Sequence, residues 1–447
     1  MGVIELGVIT DGGDELSEPA PRPLRHRDVR RVLLAAVAVL CLFGVTASAL
    51  PVSHGPEKLW SVPFRQGTDA FTVTPDTVYV LSPDDQTLTA YANRTGEVRW
   101  SNTGLRGTSW VGTVTSGVML LPAENTTVQL EQADGGEVFR QFTRQTIALD
   151  AATGRQLWRQ PGDLSLFSGD LVLLADWNED GSSARTLRGV RLHDGAPVWS
   201  LPATGLETWA TGSPLTSGAD RLLTVTPQGL VTVHDLADGR RITSGRVRWH
   251  AQGQEADSYT NLAVEGHVLY LESVDAGQAR VTAYDTDTLR ELWHVDNRSY
   301  GGFMGCGPVL CLGSLHGTSG YDPATGALRW TRAGAVNAFP LSERLLLVDE
   351  QTSSRQTLID ATTGREVRDL GGATLVWSDW RVDDSPYLLT PTEQPPGLVA
   401  VSELDGVTGE SRLLGTMEAM GDDSCQSTHR LLICVARDQH LTVMDVG

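Results

Sequence analysis

Short apolar runs recur along this chain at intervals of roughly 40 residues, the period of repeat folds. They are Val78 to Leu81, Val118 to Leu121, Leu171 to Leu174, Leu222 to Val225, Val268 to Leu271, Val309 to Leu312, Leu345 to Val348, Tyr387 to Leu389 and Leu431 to Ile433. Each is too short for a helix and is bounded by Gly, Pro, Asp or Ser, which predicts strands buried on both faces between packed sheets. Downstream of each run comes a polar gap, another strand and a tight turn. The clearest turns lie in Ala148-Leu149-Asp150-Ala151-Ala152-Thr153-Gly154-Arg155-Gln156-Leu157-Trp158 and in Gly320-Tyr321-Asp322-Pro323-Ala324-Thr325-Gly326-Ala327-Leu328-Arg329-Trp330. Asp there accepts backbone hydrogen bonds, Gly supplies positive φ, and Trp offers a flat surface to the next unit. Looser copies end at Trp100, Trp199 and Trp293, and near Ile242, Val367 and Leu413; the copy at 283–293 has Leu289 in place of Gly, so its turn is expected to differ.

Four short strands per unit predict an all-β fold, a single β-propeller over residues 57–447. Nine units can be counted, and eight or nine blades remain open. The chain ends on Leu441-Thr442-Val443-Met444-Asp445-Val446-Gly447, before any Trp strand, while Glu57-Lys58-Leu59-Trp60-Ser61-Val62 stands alone at the front. The first strand is therefore expected to complete the last blade and remove its free edge.

The pattern Ala-x-Asp-x-x-Thr-Gly-x-x-x-Trp resembles the repeat of the PQQ-like (quinoprotein-type) propellers, the family of the BamB lipoprotein and of quinoprotein dehydrogenases. That resemblance implies a propeller that is either a binding module or an enzyme. The enzymes hold their quinone between a tryptophan and a disulfide of adjacent cysteines, beside a Ca²⁺. No two cysteines are adjacent in this chain, so PQQ is not expected, and no catalytic residue is assigned.

Ahead of the repeats the chain changes character. Residues 1–31 are polar and read as a disordered tail. Residues 32–50 carry no charge, and as a helix they would span about 28 Å, close to a bilayer core. Residues 51–56 form a linker. Arg22, Arg25, Arg27, Arg30 and Arg31 precede the apolar segment, which predicts a cytoplasmic N-terminus and an extracytoplasmic propeller on a single-pass membrane protein. Cleavage after Ala49, within Ala47-Ser48-Ala49, is the alternative. No lipobox Cys ends the apolar segment. The apolar stretch Met1 to Ile9 is a candidate strand for pairing with a cytoplasmic partner.

Four cysteines fall in two close pairs, Cys306 with Cys311 and Cys425 with Cys434. Hairpin positions bring such pairs within disulfide range, as an oxidising compartment allows. A zinc site lacks ribbon or finger spacing, and free thiols are the third reading. The net charge is −20, and residues 51–447 hold 30 basic against 49 acidic side chains, a balance of −19. Such a surface disfavours nucleic acid.

Asp176, Asn178, Asp180 and Gly181 match the first half of a calcium loop. Leu187 and Ala184 stand where later ligands belong, so a solvated acidic loop is the competing reading. The histidines show no ligand spacing; His193 and His234 precede turn aspartates and suit turn hydrogen bonds. Of twelve tryptophans, Trp60, Trp100, Trp158, Trp199, Trp293 and Trp330 hold the repeat position and predict packing between blades. Trp110, Trp177, Trp209, Trp249, Trp377 and Trp380 lie outside it, with Trp377 and Trp380 the expected ligand face. Insertions at 122–145 and 391–397 are expected to enlarge loops, where partners bind.

Together these features predict a non-enzymatic, membrane-anchored scaffold of a bacterial cell envelope that contacts an envelope or secreted protein. A transmembrane ligand sensor signalling through its tail and a quinoprotein dehydrogenase are the competing classes.

Overall fold

The computed structural model describes residues 55–447 except 109, 132–136, 213–219, 251–258, 276–277, 298–301, 315–316, 343, 351–354, 377–385 and 421–424. The tail, the apolar segment 32–50 and the pair Trp377 and Trp380 lie outside the described residues. No helix among the described residues is long and apolar enough to cross a membrane.

The described chain forms nine sheets of four antiparallel strands each, which fixes the blade count at nine. Blades 1 to 8 take residues 70–102, 113–161, 163–202, 208–246, 259–297, 303–333, 335–371 and 374–418 in turn. Within each, the strands pair in chain order. First strands of successive blades are neighbours, as Thr208–Thr211 is of Tyr259–Glu265 and Thr374–Val376 is of Cys425–Thr428. A parallel bridge between Gly212 and Val264 ties one such pair.

Blade 9 closes the ring as the terminal sequences predict. Cys425–Thr428, Leu431–Val435 and His440–Asp445 supply three strands, and Glu57–Pro63 adds the fourth, with Glu57 opposite Asp445 and Pro63 opposite His440. No edge of that sheet is left by the break between chain ends. Arg94 of blade 1 then pairs with Asp445 at 2.8 Å across the junction.

Every apolar run is the second strand of a blade. Met119, Leu120 and Leu121 are fully buried, as are Leu222, Leu223 and Val225. Strands apolar on both faces are stable only where a neighbouring blade covers each face, at roughly 1.5–3 kcal/mol for each large side chain buried.

Where the repeat position holds tryptophan, it binds its blade to the next. Trp60 Nε1 donates to Asn93 O at 2.7 Å, Trp158 to Leu192 O at 2.7 Å, Trp199 to Leu236 O at 2.8 Å and Trp330 to Ala361 O at 2.8 Å. Each ring also lies on the turn glycine of the following blade. At Gly195, φ is +66° and a Cβ would sit 2.8 Å from Trp158 Cγ, so glycine is required for conformation and for contact alike. The turn Asp works as expected at Asp150, whose Oδ1 accepts from the amides of Ala152 and Thr153 at 3.1 and 2.9 Å. Its carboxyl is held below the usual range, first by the Thr153 hydroxyl.

Two expectations need correction. The turn containing Leu289 does not differ in hydrogen bonding: Leu289 N donates to Asp285 O at 2.7 Å and Thr288 N to Asp285 Oδ1 at 2.8 Å. Leu289 itself adopts φ +52°. The preceding blade carries Ile242 where Trp is usual, and Leu289 packs in one cluster with it. Second, the 122–145 insertion is no loop. It lengthens the blade 2 hairpin into Val118–Glu131 and Glu137–Asp150, paired from Val118 opposite Asp150 to Glu131 opposite Glu137. Phe142 and Thr143 are buried, but most of the described side chains of residues 124–141 are polar or exposed, so no apolar alternation marked the strands. Residues 392–397 do form the loop expected between Tyr387–Pro391 and Leu398–Leu404.

Both cysteine pairs are disulfides, Cys306 with Cys311 and Cys425 with Cys434, the second pair standing directly opposite across two strands.

Candidate aromatic and carboxylate site

Three tryptophans outside the repeat converge on one cavity of about 550 Å³, within the size range of small-molecule sites. Trp177 ends the second strand of blade 3, Trp209 lies in the first strand of blade 4, and Trp249 follows the last strand of that blade. Trp177 lies 5.6 Å from Trp209 and 5.6 Å from Phe142, centroid to centroid, making a tilted aromatic row. Arg140 stands over Trp177 at 5.1 Å, and Arg144 over Phe142 at 5.2 Å, as cation–π contacts.

Phe142, Arg140 and Arg144 come from the lengthened hairpin of blade 2, which folds against the 178–182 turn of blade 3. Arg140 donates to Gly181 O and Ser182 O, both at 2.9 Å, and Arg144 to Glu179 O at 2.7 Å. The insertion thus contributes Arg140 to the cavity lining and holds the neighbouring turn.

Blade 5 supplies the acid. Glu272 is wholly buried, and its Oε2 accepts from Asn261 Nδ2 at 3.3 Å. Burial raises its carboxyl above the ordinary range, against the opposing pull of Asn261 and the Gly302 amide. Glu272 Oε1, Trp177 Nε1 and Trp249 Nε1 are buried with no hydrogen-bond partner. Groups of this kind are rare in folded proteins and each calls for an explanation. By contrast Trp209 Nε1 donates to Ser165 Oγ at 2.9 Å.

The residues singled out for calcium have other partners. Asp176 is bound by Arg188 through Nε at 2.8 Å and Nη2 at 3.0 Å. Asn178 Nδ2 donates to the hydroxyls of Ser182 and Ser183, and Asp180 Oδ1 accepts from the Ser182 amide at 2.9 Å. The nearby carbonyls of residues 179, 181 and 182 already face guanidinium groups, whose charge opposes a cation there. Among the described residues no cluster of three His, Cys, Asp or Glu side chains is placed to hold a metal. A quinone cofactor of the family's enzymes also finds a poor match, since both disulfides span neighbouring strands of one blade and neither joins adjacent cysteines. His234 Nδ1 donates to Gly239 O at 3.2 Å, the turn role expected of it, and burial lowers its pKa.

Sequence reasoning placed Trp177, Trp209 and Trp249 outside the repeat but did not join them. Glu272 was missed. Its signal was a carboxylate set directly after the apolar run Val268 to Leu271, where chain bound for burial rarely carries charge.

Among solved structures, BamB from Moraxella catarrhalis is 17% identical, covering 87% of this chain and 99% of its own, with a TM-score of 0.43. A eukaryotic initiation factor is 10% identical over 81% and 90% of the two chains, with a TM-score of 0.52, a likeness of fold alone. A quinohemoprotein alcohol dehydrogenase from Pseudomonas putida is 14% identical over 63% and 62%, with a TM-score of 0.38. No curated protein matches. The family model described as outer membrane protein assembly factor BamB matches residues 53–165, 84–244 and 183–333. The chain belongs to that family of PQQ-like β-propellers.

Proposed function

We propose that this protein is a non-enzymatic scaffold of the cell envelope, tethered by residues 32–50 with its propeller outside the membrane, and that the blade 2 hairpin is its main protein-binding element. One observation carries the reading. Among the described residues, beyond the reach of the neighbouring strands, the two strands of the hairpin pair only with each other: the blade's first strand reaches no farther than Thr113, opposite Leu120, and its last strand pairs with Gln145 to Leu149. Residues 126–131 and 137–142 therefore form a two-stranded ribbon whose outer backbone edges pair with no described strand, and Phe139 on it is 65% exposed. Long open edges favour the addition of an extended segment from another protein. Membership of a family described by an assembly factor supports the same reading.

The test is crosslinking in intact cells with full-length tagged protein, comparing wild type with a variant in which residues 125–141 are replaced by a tight turn. An envelope protein captured reproducibly by wild type and lost from an equally stable shortened variant is the expected result. Identical captures from both forms, or none from either, would overturn it.

A further inference from the structure

We infer that the cavity between blades 3, 4, 5 and 6 is a binding site for a neutral saccharide, gripped by Trp209 and Trp249 and hydrogen-bonded by Trp177, Trp249 and Glu272. This goes beyond the scaffold reading and does not depend on it.

The argument rests on what the walls offer. Trp177 Nε1 and Trp249 Nε1 are buried donors without acceptors, and Glu272 Oε1 is a buried acceptor without a donor. A complementary ligand must therefore accept twice and donate once, within a single small volume. Hydroxyl groups do both, and a pyranose ring carries several on a scaffold whose C–H faces lie flat against indole. Thr208, Thr260 and Asn261 add further polar groups to the lining. Water alone would satisfy the polar atoms but would leave the aromatic faces wetted at a cost.

A cationic ligand fits less well. The Arg140 guanidinium already stands on Trp177, 5.1 Å from the ring centroid, and a second cation there would meet its charge. Burial raises the Glu272 carboxyl, which makes it a weaker counter-charge for a cation than an exposed carboxylate would be. An anionic ligand would gain Arg140 but would also meet Glu207, which lines the same cavity.

Intrinsic tryptophan fluorescence of the purified full-length protein would be followed during titration with mannotriose, maltotriose, cellotriose and tri-N-acetylchitotriose, with tetramethylammonium and arginine methyl ester as cationic probes. At least one saccharide should give a saturable change. Trp209→Ala and Glu272→Gln should each weaken it at least about tenfold, while Thr392→Ala, in a loop of blade 8, should leave it unchanged. Circular dichroism and melting of each variant separate lost binding from lost folding. The inference fails if no saccharide saturates by roughly 10 mM, if Glu272→Gln binds as wild type does, or if a cationic probe binds in the saccharides' place. Failure here leaves the hairpin-dependent capture of a protein partner untouched, so the two readings fall separately.

Discussion

The same residue serves two ends in this propeller. At the repeat position, Trp60, Trp158, Trp199 and Trp330 each donate their indole N–H to a carbonyl of the next blade and cover its turn glycine. Around the cavity, Trp177 and Trp249 keep that N–H buried and unpaired, while Trp209 is stacked and half-buried. A bond from the indole N–H to the turn carbonyl of the next blade marks the tryptophans that build the ring; the indole N–H of Trp177 and that of Trp249 make no hydrogen bond, and that of Trp209 bonds only the Ser165 hydroxyl of the preceding blade. The blade 4 to blade 5 contact, beside the cavity, also departs from the pattern, with Ile242 and Leu289 in place of Trp and Gly. There the bulk is shared between two aliphatic side chains instead of residing in one indole.

The most damaging way to break the comparison is to fill a ring-building contact. Gly195→Val places a branched side chain at φ +66° with its Cβ 2.8 Å from Trp158. Adding the left-handed penalty to overpacking, the cost should reach about 3 kcal/mol or more, read as a fall in urea midpoint.

A finer test swaps the two kinds of contact. Ile242→Trp alone should clash with Leu289, and Leu289→Gly alone should relieve its left-handed strain but lose its packing. Together they should rebuild the usual Trp–Gly pair. A double-mutant cycle should give a favourable coupling of about 1–3 kcal/mol; independent effects would show that these blades pack by another rule.

Acidity separates the turns from the cavity. Turn hydrogen bonds depress Asp150, Asp285 and Asp322, first from Thr153, Thr288 and Arg329 respectively, and Arg191 draws Asp194 down to about 2. The stability these contribute is complete above the unfolded value of about 4 and drains away as pH falls through the folded values. Glu265 and Glu272 are raised by burial and act oppositely, lowering stability as pH climbs above the ordinary Glu value. Melting temperature should thus fall below about pH 4, and Glu272→Gln should flatten the decline on the neutral side while leaving the acid limb as it was.

Much of the ring was legible because its determinants are local. Asp150, Gly154 and Trp158 sit within one turn and strand, so spacing alone reveals their roles, and the orphan Trp60 strand foretold the closure with His440–Asp445. The Leu289 turn was misjudged because a favourable Asp285 cap outweighs about 1–2 kcal/mol of left-handed strain, a balance no pattern displays. The cavity was illegible for a different reason. Trp177, Trp209, Trp249 and Glu272 come from three successive blades, and only the packing of those blades sets them around one space. Trp110, outside the repeat like them, is simply 47% exposed.

Melting Trp199→Ala and Trp209→Ala side by side tests the division most directly. Trp199 is 8% exposed and bonded to the next blade, so its loss should cost about 3–5 kcal/mol, whereas loss of Trp209 should cost no more than about 1.5 kcal/mol, the worth of an aromatic contact. Equal losses would contradict the account, since both tryptophans would then be building the ring.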